Sequence, residues 1–243
     1  MSQPNLSTAS SAPTQSATLP TDPHLLRILL IVSLATGCID AICLVHLKVF
    51  TAYMTGTLIL IGIHLGQVTP VALPGVIALV AFGTGAILGG RLIRLEKRTD
   101  ARHLDMLARI LTLVTLLVMG AAALAALYDV TQNMPHYIII AVLGTAMGIQ
   151  IAGSRHAGVL DMTIPAATMV LHGLFFDCKF AGGPARRQGR RLAVIVALIL
   201  GAAIGAGLAR WQIWIGLLGG VFFLASAAGA SYALARRSTS PAS

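Results

Sequence analysis

The sequence predicts an all-α membrane protein: six transmembrane helices plus two short broken or re-entrant helical segments, arranged as an inverted 3+3 repeat. Three observations carry that expectation. Apolar residues make up 56% of the 243 and charged residues only 10%, where a soluble domain holds about a quarter charged; mean hydropathy is +0.85. The basic residues collect in short segments beside long apolar runs. Finally, two apolar stretches too short for plain spans sit at matching places in the two halves.

Taken in order, residues 1–22 are rich in Ser, Thr, Pro and Gln and hold no Lys or Arg. They lack the basic start and apolar run of a signal peptide and read as a disordered tail. The membrane domain is expected over 23–237, with repeat 1 over about 25–128 and repeat 2 over about 136–235, then a short tail over 238–243. Spans are expected at Leu25–Val45, which would serve as an uncleaved signal anchor, and at Val71–Arg91, Leu107–Leu127, His136–Gly153, Arg191–Ala209 and Trp214–Ala235. Each approaches the roughly 20 residues that cover about 30 Å of hydrocarbon. Ala52–Leu65 and Met162–Phe176 would cover only about 21–23 Å as ideal helices.

Charge assigns the short segments. Arg91, Arg94, Lys97, Arg98, Arg102 and Arg109 form one basic cluster, Lys179, Arg186, Arg187, Arg190 and Arg191 a second, and Arg236 and Arg237 close the chain. Basic loops stay cytoplasmic, so an even number of crossings separates the two clusters. Tyr128–His136, without Lys or Arg, faces outward. Two full spans already lie between the clusters, so Met162–Phe176 returns to the side it leaves. With His24 and Arg27 marking a cytoplasmic N-terminus, Ala52–Leu65 does the same from outside, although Lys48 opposes that orientation. The formal net charge of +9 therefore reports membrane topology rather than a nucleic-acid groove, and no aromatic residues interleave with the basic ones.

An internal repeat supports the layout. "HLKVF" from His46 parallels "HAGVL" from His156. Thr57 and Gly62 share the spacing of Thr168 and Gly173, and "GAILGGRLIR" from Gly85 parallels "GAAIGAGLAR" from Gly201. At the offset of the His pair, Asp40 falls opposite Gln150. Three crossings per half would invert the second half, a recurrent transporter design with its site near mid-membrane.

At these residues the chain resembles a known family. "TGCIDAICLVHLKVFTAYMTGTLILIG" (Thr36–Gly62), then "AMGIQIAG" (Ala146–Gly153) and a Thr-rich second short segment, is similar to the YoaK-like bacterial integral membrane proteins, a domain of unknown function. The resemblance runs over roughly Leu25–Ala235. It implies a multi-pass protein of the bacterial cytoplasmic membrane and brings no established activity. The family usually reads Thr-Gly-Asn where this chain has Thr55-Gly56-Thr57, leaving a hydroxyl in place of an amide.

Asp40 is the one acidic residue well inside an apolar span. Such a charge costs about 2.5–3.5 kcal/mol on insertion scales, so it is expected to face a polar cavity, suiting proton uptake and release, or to lock helices together through a partner such as Gln150. Gly56 and Pro165 are expected to interrupt helical bonding and free backbone groups for a solute, with Thr55, Thr57, Thr163 and Thr168 adding hydroxyls. Alternatively the threonines bond back to their own helices. His172 is the best proton shuttle among His46, His64, His156 and His172, against a packing role. Cys38, Cys43 and Cys178 form no CxxC pair and read as small apolar residues, and no metal or cofactor motif is present. Gly85/Gly89 and Gly201/Gly205 read as close helix contacts within the chain, with a homodimer interface as the alternative. The functional expectation is a small-solute permease, with protons as a candidate coupling ion and the lipid bilayer as surroundings. The alternatives are a passive channel or a structural or signalling membrane subunit; a membrane-embedded enzyme ranks lower.

Overall fold

A computed structural model describes residues 23–67, 72–96, 103–130, 133–156, 167–184 and 188–237. Helix α1 runs Pro23–Ile42 and passes into a π-turn over Cys43–Leu47. The others are α2 Met54–Gly66, α3 Ala72–Glu96, α4 His103–Leu127, α5 Asn133–His156, α6 Ala167–Phe176, α7 Gln188–Ala209 and α8 Ile213–Arg237, with a 3-10 turn at Lys179–Ala181. Six of these are long and apolar enough to cross a membrane, while α2 and α6 are shorter apolar helices. The all-helical, multi-span expectation holds. Helices are the natural form here because a chain in hydrocarbon must satisfy its peptide groups internally.

Most spans extend a turn or so beyond their expected ends. Pro23, Pro74 and Pro135 all lie within the first three residues of their helices, where the missing N–H costs nothing. Gly56 does not break its segment: α2 is continuous through it, and the interruption lies before the helix, at 48–53. Lys48 takes the left-handed conformation (φ 59°) and its N–H bonds Cys43 O, ending α1. The first five residues of the second expected short segment, the tails 1–22 and 238–243, and the motif "HAGVL" beyond His156 lie outside the described residues.

Two close crossings organise the bundle. Gly201 and Gly205 of α7 lie against the backbone of Leu34 and Cys38 of α1, and Gly37 of α1 against Leu198 and Ala202. Gly85 and Gly89 of α3 lie against Thr145 and Ile149 of α5, and Gly148 of α5 against Phe82 and Ala86. Residue numbers rise together along both partners, so α1 runs parallel to α7 and α3 parallel to α5. The two glycine pairs thus serve contacts inside the chain, where missing side chains let backbones approach. The other main packing is α4 on α8 and on α5, α8 on α1 and on α7, α2 on α3, and α6 on α7.

The crossings correspond residue for residue: Leu34 with Thr145, Cys38 with Ile149, Gly201 with Gly85, Gly205 with Gly89. On that register Gln150 stands opposite Ile39, one position from the expected match to Asp40. The reason is local. The expected pairing was anchored on His46 and His156, and His46 lies in the π-turn, which inserts an extra residue relative to an α-turn.

Helix α6 doubles back along α7. Its early residues Ala167 and Val170 face Val194, Ile195 and Leu198 of α7. At its other end, Arg191 Nη1 donates to Gly173 O at 2.5 Å and to Asp177 Oδ2 at 2.6 Å. The guanidinium adds a second donor to a carbonyl that Asp177 N already engages at 3.1 Å, and a cation at a helix C-terminus opposes the negative end of the dipole. Arg191→Ala is expected to cost about 1–3 kcal/mol and to loosen α6 selectively. Hydrogen exchange should quicken over 167–176 while α4 keeps its protection.

Candidate functional site

The site builds outward from Asp40, buried on α1 at 3% exposure. Beyond the π-turn the chain folds back beside α1 and returns to the level of Asp40, about 10 Å short of the helix end at Leu47. There Oδ1 accepts hydrogen bonds from Thr51 N (2.7 Å), Thr51 Oγ1 (2.8 Å) and Ala52 N (2.9 Å), and Oδ2 from Tyr53 N (3.0 Å). Four donors on one carboxylate account for its burial: it is met by three peptide N–H groups that helical bonding leaves free and by one hydroxyl. Asp40 locks a loop rather than a second helix. Gln150 is fully buried and instead donates through Nε2 to Thr36 Oγ1 at 2.6 Å.

Next in the chain, Thr57 Oγ1 accepts from Phe50 N (3.0 Å) and donates to Phe50 O (2.7 Å). Gly56 lies under the Phe50 ring, where a Cβ would stand 2.5 Å from a ring carbon. So Asp40, Gly56 and Thr57 hold one object, the 50–53 loop that aims α2. Tyr53 is the residue before α2, and α2 then leads outward until Ile61 meets Gly75 near the start of α3.

Tyr53 also borders a small apolar recess with Ser33 of α1, Ala167 and Val170 of α6, and Val194 and Leu198 of α7. The start of α2 and the start of α6 therefore face one another across this recess. The Tyr53 hydroxyl and Gln150 Oε1 are buried without a hydrogen-bond partner among the described residues, so each retains capacity for a water or a ligand.

The other expected site residues lie apart. Thr55 and Thr168 are exposed on α2 and α6. His172 is exposed and stacks on Phe176 at 5.3 Å. Thr163 and Pro165 lie outside the described residues. Thr51, Phe50, Tyr53 and Arg191 are not among the site residues the sequence predicts. For Arg191 a signal existed, a cation at the edge of an apolar span. For Thr51 and Tyr53 none did, because their role depends on where the loop folds back.

The family described as protein of unknown function (DUF1275) matches residues 28–231. No curated protein and no solved structure matches the chain. Together with six spanning helices and two half-length ones in the expected order, this match places the protein in the DUF1275 family, the one that includes the YoaK-like proteins.

Proposed function

We propose that this protein is a small-solute permease of the bacterial cytoplasmic membrane, built from two inverted halves, with both termini cytoplasmic. In this reading α2 and α6 dip in from opposite faces, and the solute passes between their inner ends. The observation that carries it is the shared recess, where Tyr53 before α2 meets Ala167 and Val170 at the start of α6. Interrupted helices meeting part-way through the bilayer are how transporters free peptide groups for a passenger. The paths of the short helices support the inversion, since α2 turns back from the level of Asp40 and α6 doubles back along α7, and the matched crossings relate each half to the other. With both short helices turning back, Arg27, Arg91, Arg94, Arg109, Arg155, Lys179, Arg190, Arg191 and Arg236 among the described residues fall toward one end of the bundle and Lys48 and Arg210 toward the other. That asymmetry supports cytoplasmic termini. Proton coupling through Asp40 would require the 50–53 loop to release its carboxylate during the cycle.

The test is solute counterflow in proteoliposomes holding the full-length protein, using a panel of amino acids, nucleobases, small organic acids and sugars. At least one solute is expected to exchange, and Val170→Trp, which fills the recess, to stop it. Unchanged flux in that variant removes the recess from the pathway. A second reading is a structural membrane subunit, favoured by the four bonds that occupy Asp40. It predicts no flux of any solute in the panel and altered stability alone when the recess is filled.

A further inference from the structure

A groove runs between the beginning of α1 and the end of α8. Its floor is Ile28, Ile31, Ala230 and Leu234, and its rim holds His24, Arg27 and Ala233. It spans about 10 Å along α1, from His24 to Ile31 at 1.5 Å per residue. Small residues on α8 keep it open: Ala230 and Ala233 line it, and a Cβ on the neighbouring Gly229 would meet nothing within 4 Å.

Its place in the bundle matters. Because α1 parallels α7 and the end of α8 joins the start of α1, the groove lies at the end that carries Arg27, Arg190, Arg191 and Arg236. Arg27 is exposed at the groove. An apolar slot between two spanning helices, with a guanidinium at its mouth, complements one class of molecule in its surroundings. That molecule is a lipid with an acyl chain for the slot and a headgroup of net negative charge, with no cation of its own to compete, for the guanidinium.

We infer that this groove is a binding site for an anionic phospholipid, its phosphate on Arg27 and the upper part of one acyl chain along Ile28, Ile31 and Ala230. The site is separate from the recess between α2 and α6, so it stands whether or not the protein transports.

Native mass spectrometry of the full-length protein in detergent, titrated with phosphatidylglycerol or phosphatidylcholine, tests this. Phosphatidylglycerol is expected to give a single saturable adduct at concentrations where phosphatidylcholine gives little. Arg27→Gln should weaken that adduct about fivefold, the effect of one basic residue near a membrane surface. Ala233→Trp should abolish it by filling the slot, and Arg210→Gln at the opposite end should leave it unchanged. Circular dichroism and gel filtration of each variant confirm that it is folded. Equal adducts from both lipids, or wild-type binding by both Arg27→Gln and Ala233→Trp, overturn the inference. So does inorganic phosphate that competes off the adduct at millimolar concentration, which marks a simple anion site.

Discussion

Asp40→Ala should leave little folded protein in the membrane. The substitution removes the acceptor of four hydrogen bonds and strands the N–H groups of Thr51, Ala52 and Tyr53 beside a buried helix. Unmet donors cost about 1–3 kcal/mol each, and breaking a buried charged arrangement typically costs about 3–5 kcal/mol in all. Asp40→Asn should do less harm but still destabilise, since its amide nitrogen turns a donor toward other donors. Thermal unfolding in detergent checks both, with the expected order wild type, Asn, Ala. An Asp40 that served only to carry protons would give a different result: Asp40→Asn would unfold like wild type while solute accumulation failed.

Gly201→Val is the second large effect. Its Cβ would run into the carbonyl of Leu34, a backbone atom in the most heavily buried helix. Flexible side chains can yield to an added methyl group, but two packed helices must part instead. The expected cost is about 3 kcal/mol or more, enough to empty the folded fraction of a marginally stable protein. Gly85→Val meets Thr145 in the same way and should match it. Gly229→Ala, whose Cβ meets nothing, should be neutral or more stable by about 0.5–1 kcal/mol, because alanine loses less freedom in a helix. Expression as a fluorescent fusion, followed by size-exclusion chromatography, separates the three outcomes.

Much of this architecture was legible because hydropathy and length are properties of a single segment. The six spans and the two short helices needed nothing beyond runs of apolar residues. Small residues at matched spacing also announced the close crossings, since Gly85, Gly89, Gly201 and Gly205 have few other uses in mid-helix. The site was less legible. Asp40 stood out by its charge, but its partners come from a loop 11–13 residues later whose path depends on a π-turn and a left-handed Lys48. Thr57 looked like a free hydroxyl and is engaged with Phe50. Gly56 looked like a helix break and is a seat for an aromatic ring. In each case the residue type announced that something unusual was needed, and only the fold determined what.

The central claim is that α2 and α6 each return to the face from which they came, on opposite sides of the membrane. Cysteine labelling tests it most directly, in a background where Cys38, Cys43 and Cys178 are replaced. With a membrane-impermeant maleimide, Lys48→Cys and Gln67→Cys should both react from one face, and His156→Cys and Lys179→Cys both from the other. Lys48 and Gln67 labelling from different faces, or His156 and Lys179 doing so, would make the short helices crossings and contradict the account.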